Sequence, residues 1–461
     1  MLIRFQGPEP WRSRGVQLLW LLPQAQVEEN PESWDLSLEV AREGDELCLA
    51  LKDGRGQVKR RVPAQSPDFL RALFSLLSSY WGSPISPWGI VTGVRPGKIA
   101  AGLLAVYSPA QAALRLEKEW LLRKDKARLL LAAVGNGYPL LRPEGLSLYV
   151  SVPFCPSRCH YCSFASLPLA LWRDKLGEYV RRGAAELSAL LAACRQEGIE
   201  VNSIYVGGGT PTALDPDQLG ELLAPARGSR CEFTVEAGRP DTLSSAHLAV
   251  FRELGVNRLS VNSQYPLDST LRAIGREHTA AQFYRALDLA VAAGLGPVNT
   301  DLIIGLPGQT PADFARVLSR LAAAGAANIT LHALALKRGA RLRHQYLAPE
   351  AAEAIAQVAY ERLDSLGYQP YYLYRQRNIA SNLENVGFGL LGSYCYYNIA
   401  SIAEAEPVLG VGAGAVSKLG RRGALQPLVN PRDPNQYLAR WDQLLQHKLR
   451  DVPFCHKFDT T

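Results

Sequence analysis

The spacing of apolar residues changes character near residue 145. Beyond that point, short apolar runs alternate with longer segments in which apolar residues recur at helical spacing. Strands separated by helices predict βαβ units around a parallel sheet, so we predict an α/β fold. Six such units fit a partial (β/α)6 TIM-like barrel better than a closed barrel of eight. The predicted strands are residues 148–154, 203–206, 231–235, 258–261, 298–304 and 329–336, and the predicted helices are 171–194, 245–254, 280–293 and 311–324.

The first 140 residues follow a different pattern, in which strand-like runs come first and helical spacing comes later. This order predicts a small N-terminal α+β domain at 1–140, before the barrel core at 146–340 and a C-terminal extension at 341–461 that covers the substrate. The loop at 88–98, Trp-Gly-Ile-Val-Thr-Gly-Val-Arg-Pro-Gly-Lys, is interpreted as a structural connector. In the N-terminal domain the predicted strands are 37–40, 47–51 and 57–62, and the predicted helices are 68–80 and 110–134.

Composition narrows the class of protein without identifying it. The 461 residues suffice for two or three domains, and 47% of them are hydrophobic. No apolar run is long enough to span a membrane and no targeting pattern stands at the N-terminus, so we expect a soluble cytoplasmic protein. The net charge of +7 suits an acidic substrate without predicting nucleic acid as a partner. The eight cysteines are expected to be reduced thiols or metal ligands.

Three cysteines, Cys155, Cys159 and Cys162, follow the first predicted strand of the barrel on one short loop. Three thiolates can bind three irons of a cubane iron–sulfur cluster and leave the fourth iron open to a ligand, whereas electron-transfer clusters use four cysteines. A zinc site completed by His160 is the alternative, although zinc ligands usually come as two separated pairs. A disulfide framework fits less well, because three clustered thiols cannot all pair.

Glycine or polar residues punctuate the next four predicted strands. The segment 207–210, Gly-Gly-Gly-Thr, follows the second strand, Glu236 ends the third, Gln264 ends the fourth and Asp301 lies within the fifth. Because parallel barrels place their active sites at the carboxyl ends of the strands, we expect these groups to converge around the cysteines. The glycines either let a ligand approach the backbone or form a tight turn. Glu236 either meets an ammonium or ribose hydroxyls or lies on the surface, whereas Asp301 needs a partner such as a ribose or a buried arginine.

Together these motifs resemble the radical S-adenosylmethionine (radical SAM) superfamily, and within it the oxygen-independent coproporphyrinogen III oxidase branch. The segments 92–96, Thr-Gly-Val-Arg-Pro, and 371–378, Tyr-Tyr-Leu-Tyr-Arg-Gln-Arg-Asn, resemble its coproporphyrinogen dehydrogenase subgroup. The resemblance to the branch rests on Leu-Tyr-Val-Ser-Val-Pro-Phe-Cys at 148–155, Gly-Gly-Gly-Thr-Pro-Thr at 207–212, Gly-Val-Asn-Arg-Leu-Ser at 255–260 and Asp-Leu-Ile-Ile-Gly-Leu-Pro-Gly-Gln-Thr at 301–310.

The resemblance implies a radical SAM barrel with two cofactors. A [4Fe–4S] cluster would be held by Cys155, Cys159 and Cys162, and its open iron would chelate S-adenosylmethionine (SAM). No side chain is implied as a catalytic residue, because the cofactors supply the radical chemistry. The positions that the resemblance assigns to SAM contacts are Tyr149, Gly208, Gly209, Thr210, Glu236, Gln264, Arg276 and Asp301.

The implied reaction converts coproporphyrinogen III, a tetrapyrrole of haem biosynthesis, to protoporphyrinogen IX. A radical derived from SAM would take hydrogen from a propionate β-carbon, and loss of carbon dioxide and one electron would leave a vinyl group, twice per substrate. An electron donor such as flavodoxin or ferredoxin is implied as a partner. The propionates need cations, for which Arg375 and Arg377 are candidates, with a packed structural turn as the alternative reading.

Two positions depart from the pattern of the oxidases. Phe164 stands where they carry a fourth cysteine, and Ser151 stands where they carry a histidine. A sister group without that cysteine resembles haem chaperones, so a haem-trafficking protein is the second hypothesis. The long N-terminal domain and the tyrosine- and arginine-rich segment favour the oxidase. A radical SAM enzyme that modifies RNA is disfavoured, because no basic cluster interleaved with aromatic residues is present.

Overall fold

A computed structural model of the chain describes residues 1–19, 21–22, 26–29, 31–54, 56–64, 68–142, 144–162, 166–335, 342, 346–376, 379, 382–420 and 424–455. The chain forms two compact units. The first unit contains residues 1–134, 348–350 and 373–385, and the second contains 135–347, 351–372 and 386–461. Thus 373–385, which lies within the predicted C-terminal extension, is part of the first unit. Among the described residues, no helix combines the length and the apolar character needed to cross a membrane.

The first unit is built on a five-stranded sheet with the order β2-β1-β3-β4-β5. Leucines and a valine alternate toward the core along β3 and β4, and helix α2 packs its apolar side against the same core. The structure confirms the three predicted strands and the helix at 68–80, and it adds β1, β2, α1 and α3. The single helix predicted at 110–134 was wrong, because two helices, α4 and α5, lie there. The elements are β1 (Leu2–Gln6), α1 (Trp11–Leu19), β2 (Gln26–Glu28), β3 (Leu36–Glu43), β4 (Glu46–Asp53), β5 (Gly56–Pro63), α2 (Asp68–Trp81), α3 (Gly97–Leu104), α4 (Pro109–Glu119) and α5 (Lys124–Gly137).

The second unit contains the predicted six parallel strands, each paired with the next along the chain. They are β6 (Leu146–Val152), β9 (Val201–Gly208), β10 (Glu232–Ala237), β11 (Arg258–Val261), β12 (Val298–Ile304) and β13 (Asn328–Ala333). Between them lie the short strands β7 (Phe154–Cys155) and β8 (Leu167–Pro168) and the helices α6 (Arg173–Gln196), α7 (Pro216–Leu223), α8 (Ser245–Leu254), α9 (Asp268–Ala273), α10 (Ala280–Ala292) and α11 (Pro311–Ala323). This arrangement confirms the partial (β/α)6 barrel.

Both edges of the six-stranded core are extended by later parts of the chain, which gives an 11-stranded sheet with the order β14-β15-β13-β12-β11-β10-β9-β6-β16-β17-β18. Strand β16 runs parallel to β6, and β15 runs antiparallel to β13. The added elements are α12 (Pro349–Ser365), β14 (Gln369–Tyr374), β15 (Asn385–Gly389), α13 (Tyr396–Ala403), β16 (Val408–Val411), β17 (Val416–Leu419), β18 (Gln426–Val429), α14 (Pro434–Ala439) and α15 (Trp441–Asp451).

Burial explains why the barrel strands could be predicted. In β6 every residue except Tyr149 is buried, because one face of the strand meets the helices and the other lines the barrel. The alternate positions differ in chemistry: leucines and valines face one way, and Ser147, Tyr149 and Ser151 face the other. The barrel strands therefore carry an apolar outer surface and a polar inner surface.

Candidate functional site

The three cysteines lie on a loop, residues 155–162, that begins where β7 ends. Cys155 is buried, and its Sγ lies 3.4 Å from the Thr210 Oγ1. Cys159 and Cys162 are half-buried, and the Cys162 backbone N–H donates to the Cys159 carbonyl at 3.2 Å. Burial, with smaller contributions from the other two thiols, raises the pKa of the Cys155 thiol to about 11. The three sulfurs therefore form one site in which deprotonation would accompany metal binding.

The zinc alternative requires His160 as a fourth ligand beside the three cysteines. A cubane cluster does not need this histidine, since each thiolate binds its own iron. His160, the fourth zinc ligand in the alternative reading, instead places its Nδ1 3.1 Å from the Ala273 carbonyl and packs its ring against Gly275.

Two buried arginines hold the cysteine loop. Arg276 donates from its Nη2 to the Tyr161 hydroxyl at 2.9 Å and from its Nη1 to the Asn262 carbonyl at 2.5 Å, and the Cys159 thiol lies near it. Arg239 donates from its Nη1 to the Ser157 Oγ at 2.9 Å. Two guanidinium groups beside three thiolates would offset the negative charge of a cluster. Arg239 was not identified as a site residue from the sequence. Its position just after β10, at the carboxyl end of a barrel strand, could have indicated it.

The glycine segment 207–210 is tied to the strand that carries Cys155. The Gly209 N–H donates to the Val152 carbonyl at 2.7 Å, and the Thr210 N–H donates to the Phe154 carbonyl at 2.8 Å. A Cβ on Gly209 would lie only 2.6 Å from the Phe154 carbonyl oxygen, which is a backbone atom that cannot move aside alone. Gly208 has φ of 111°, a conformation that favours glycine. The glycines thus allow β9 and β7 to approach each other closely.

Substituting Gly209 with alanine is expected to reduce cluster content severalfold, because the new Cβ would displace Phe154 and with it Cys155. Iron and sulfide per chain after anaerobic reconstitution measure the effect. Gly220→Ala is the matched control, since a Cβ at this helical glycine would lie 3.4 Å from a Val250 methyl, an ordinary contact. Equal cluster content in both variants and the wild type would contradict this role.

Inside the barrel, Glu236 lies against three stacked tyrosines. The Tyr205 hydroxyl donates to the Glu236 Oε1 at 2.5 Å, and the ring of Tyr205 lies 6.2 Å from that of Tyr149 and 4.5 Å from that of Tyr397. Burial raises the pKa of Glu236 to about 7, although the Tyr205 hydrogen bond acts against this rise. Glu236 therefore points into the barrel rather than outward. Tyr397, which comes from α13, gave no signal in the sequence.

Asp301 on β12 finds its partners within the sheet. Asn299 donates from its Nδ2 to the Asp301 Oδ1 at 2.8 Å, and the His332 Nε2 lies 3.7 Å from the Oδ2. Burial alone would raise the pKa of Asp301, but His332 and the hydrogen bonds lower it below the usual range. The expected partner was a ribose or a buried arginine, and among the described residues it is this histidine. Gln264 is joined to the same strand, its backbone N–H donating to the Asp301 carbonyl at 3.1 Å.

The eight predicted SAM positions and the three cysteines are linked by a chain of contacts within the second unit. Cys155 meets Thr210, and a Cβ on Gly207 would lie 3.1 Å from a carboxylate oxygen of Glu236. Glu236 and Asp301 influence each other electrostatically, which requires proximity. The strand ends therefore converge around the cysteine loop, as a parallel barrel requires. The result is a polar, partly buried site with acidic groups on one side and two arginines at the loop.

The two arginines predicted to meet the substrate have different outcomes. Arg375 lies in the first unit and is buried, and its Nη1 donates to the Val91 carbonyl at 2.5 Å. Arg377 lies outside the described residues, and so does Phe164. Ser151, the other departure from the oxidase pattern, is buried in the barrel and donates from its Oγ to the Ala413 carbonyl at 2.8 Å.

Comparison with known proteins gives a consistent result for the barrel. A sequence model of the Radical SAM superfamily matches residues 149–321, which include the cysteine loop and the eight predicted SAM positions. Among solved structures, coproporphyrinogen III oxidase (HemN) from Escherichia coli, described as a radical SAM enzyme, aligns with a TM-score of 0.53 and 22% identity. That alignment covers 68% of this chain and 77% of the E. coli chain, and it supports a shared fold.

Two curated relatives differ in how much of the chain they match. The oxygen-independent coproporphyrinogen-III oxidase-like protein HemZ of Bacillus subtilis is 34% identical over 457 residues, covering 92% of this chain and 91% of the relative. The haem chaperone HemW of the same organism is 29% identical over 291 residues, covering 59% of this chain and 71% of the relative. The first likeness therefore extends well beyond the barrel.

Proposed function

Because this chain belongs to the HemN/HemZ branch of the radical SAM superfamily, with a [4Fe–4S] cluster and SAM as its cofactors, we propose that it oxidatively decarboxylates two propionates of coproporphyrinogen III. Each propionate would lose one hydrogen atom, one carbon dioxide and one electron to become a vinyl group, giving protoporphyrinogen IX. An external donor would reduce the cluster, and an acceptor would take the electron released with each decarboxylation.

The observation that carries this proposal is the extent of the likeness to HemZ. It covers 92% of the chain, whereas the haem chaperone HemW covers 59%. A match of that length includes much of the first unit as well as the barrel. The proposal therefore follows the relative whose whole architecture is shared.

Different residues of the barrel would bind the cluster and SAM. Cys155, Cys159 and Cys162 would bind three irons, and the bound cluster and SAM together would supply the hydrogen-abstracting radical. Gly208 and Gly209 let β9 approach the cysteine strand closely, and their backbone carbonyls would meet the SAM amino group beside the cluster.

The acidic and aromatic groups would meet the rest of SAM. Glu236 and Asp301 can accept hydrogen bonds from an ammonium or from ribose hydroxyls, and Asp301 is held in its ionised form by His332. The stacked rings of Tyr149, Tyr205 and Tyr397 form one wall inside the barrel. Such a wall would exclude water from a reactive radical.

An anaerobic assay tests the proposal. The reconstituted protein is incubated with SAM, dithionite or a flavodoxin system, and coproporphyrinogen III, and the products are separated and quantified. The expected result is protoporphyrinogen IX with two carbon dioxide molecules per tetrapyrrole. SAM cleavage without any vinyl product would reject the decarboxylation.

A haem-trafficking role is the second candidate, and the likeness to HemW supports it, as does phenylalanine at position 164 in place of a fourth cysteine. Measuring haem transfer and vinyl formation on the same protein distinguishes the two functions. A trafficking protein would bind haem stoichiometrically and transfer it to an apoprotein without forming vinyl groups. An oxidase would form vinyl groups and would not need to transfer haem.

We expect SAM affinity to rise about tenfold between pH 6 and pH 8, because Glu236, whose pKa is about 7, must be ionised to hold a cation. Equilibrium dialysis with the cluster-loaded protein measures the effect. The Glu236→Gln variant should bind SAM more weakly, and its SAM affinity should lack the part of the pH dependence that comes from Glu236. The difference between wild type and variant carries the test, since the SAM amine titrates in both. Glu253→Gln, on an exposed part of α8, is the control. Parallel pH curves for wild type and Glu236→Gln would contradict the assignment.

A further inference from the structure

A recess in the first unit contains a buried arginine whose hydrogen-bonding capacity is not used up. We call this space the Arg375 recess. Its lining includes Thr92, Gly93, Val94, Arg375, Gln376 and Asn382. All of them belong to the first unit. The recess is therefore formed within one compact part of the protein, by the loop that carries the Thr-Gly-Val motif and by the segment 373–385.

The neighbours of Arg375 fix the position of its side chain but do not accept hydrogen bonds from all of its N–H groups. Its backbone N–H donates to the Val94 carbonyl at 2.7 Å, its Nη1 donates to the Val91 carbonyl at 2.5 Å, and its guanidinium lies over the Trp88 ring at 5.2 Å. The Nε has no hydrogen-bond partner among the described residues, although the side chain is only 5% exposed. A buried N–H donor without an acceptor lowers the stability of the fold. We therefore expect a ligand or a water molecule to accept a hydrogen bond from it.

The charge balance around Arg375 favours an anion as that ligand. Glu384 is the acidic group that acts on Arg375, but its carboxylate already accepts from the Lys126 Nζ at 2.6 Å and from the Trp88 Nε1 at 3.0 Å. Glu384 thus interacts with the buried Lys126 as well as with Arg375. Burial lowers the pKa of Arg375 to about 10, and Glu384 restores only part of the loss. A negative charge bound beside Arg375 would further stabilise its charged form.

We propose that the Arg375 recess binds a carboxylate group, with the Arg375 Nε as a donor to it. A guanidinium held by a backbone carbonyl and an aromatic ring is preorganised, and such a group suits carboxylates, which accept two parallel N–H bonds. The polar side chains of Thr92, Gln376 and Asn382 surround the same space. This gives the Thr-Gly-Val loop a role beyond that of a connector.

The source of the carboxylate rests on the proposed function. A tetrapyrrole with propionate side chains offers such groups, and a small free carboxylate offers the same chemistry. A haem-trafficking protein would also meet propionates, so the recess can be tested by binding alone, without turnover. Failure of the binding test and failure of the decarboxylation assay are then separate results.

The test titrates the full, cluster-loaded chain with coproporphyrin III, the stable oxidised form of the tetra-acid, and with its uncharged tetramethyl ester. Binding is followed by the change in porphyrin absorbance and fluorescence. Arg375→Gln is expected to weaken binding of the tetra-acid about tenfold or more, because a charge-assisted hydrogen bond is lost, and to leave binding of the ester unchanged. Arg128→Gln, at an exposed arginine of the same unit, is the matched control and should bind both as the wild type does.

A second pair of variants guards against misfolding of Arg375→Gln. Val94 lines the recess and is 37% exposed, so charged side chains can replace it without entering the core. Val94→Asp should weaken binding of the tetra-acid severalfold by repulsion, and Val94→Lys should not weaken it. Wild-type affinity for the tetra-acid in both Arg375→Gln and Val94→Asp, together with no Arg375-dependent binding of propionate ions, would overturn the proposal. Arg375-dependent binding of propionate ions that coproporphyrin III does not displace would support the carboxylate site and assign it to a small free acid.

Discussion

Replacing Cys159 with serine is expected to abolish the visible absorbance of the reconstituted cluster and to reduce SAM cleavage to background. With three thiolates for four irons, the loop has no spare ligand, and loss of one leaves two irons without protein contacts. Cys159 also lies beside Arg276, which holds the loop through the Tyr161 hydroxyl. Absorbance near 400 nm and electron paramagnetic resonance of the reduced protein measure the cluster, and chromatography of 5′-deoxyadenosine measures SAM cleavage.

Cys48→Ser is the matched control for this variant. Cys48 is half-buried, like Cys159, but it lies on β4 of the first unit. The control should retain its full iron content and its rate of SAM cleavage. If Cys159→Ser kept the cluster signal, the ligand assignment would be wrong, and a site elsewhere would have to hold the metal.

Replacing Lys448 with methionine is expected to lower the free energy of unfolding of the second unit by about 3–5 kcal/mol. The Lys448 Nζ donates to the Glu186 Oε1 at 2.5 Å and to the Gly410 carbonyl at 2.6 Å, and both charged side chains are fully buried. Methionine fills a similar volume but leaves the Glu186 carboxylate uncompensated. That carboxylate also accepts from the Gly412 N–H at 3.0 Å and from the Tyr437 hydroxyl at 2.5 Å. Removing the Lys448 charge is therefore expected to weaken the packing of α6 against both α15 and the β16–β17 connection.

Lys418→Met is the matched control for the buried pair. Lys418 and Glu404 form a partly exposed pair, with 23% and 25% of the side chains accessible, and such pairs contribute about 0–1 kcal/mol. Urea denaturation followed by circular dichroism compares the two variants with the wild type. A loss of less than about 1 kcal/mol for Lys448→Met would mean that solvent or a rearranged side chain compensates Glu186.

The barrel strands could be predicted because parallel strands buried on both faces appear as short apolar runs. The polar residues that end these runs were expected to converge, and the structure brings them together, since a parallel barrel places strand ends at one edge. None of the five strands that extend the sheet at its edges was predicted. Strands β16, β17 and β18 have four residues each, which is too short for a periodic pattern to stand out.

Partners distant in the chain could not be inferred from local patterns. Glu186 and Lys448 are 262 residues apart, and nothing in either helix indicates that the two charges meet. The partner of Asp301 was misjudged for a related reason. His332 lies on the neighbouring strand β13, and only the pairing of β12 with β13 places it beside the carboxylate. In the same way, the sequence did not indicate that Arg375 belongs to the first unit.

The most direct test of the proposed reaction uses coproporphyrinogen III deuterated at the propionate β-carbons. The reconstituted protein is incubated anaerobically with this substrate, SAM and a reductant, and the 5′-deoxyadenosine is analysed by mass spectrometry. Abstraction of hydrogen from the β-carbon predicts one deuterium in the methyl group of each 5′-deoxyadenosine formed during turnover, together with vinyl products. Unlabelled 5′-deoxyadenosine and an unchanged tetrapyrrole would contradict the proposed function.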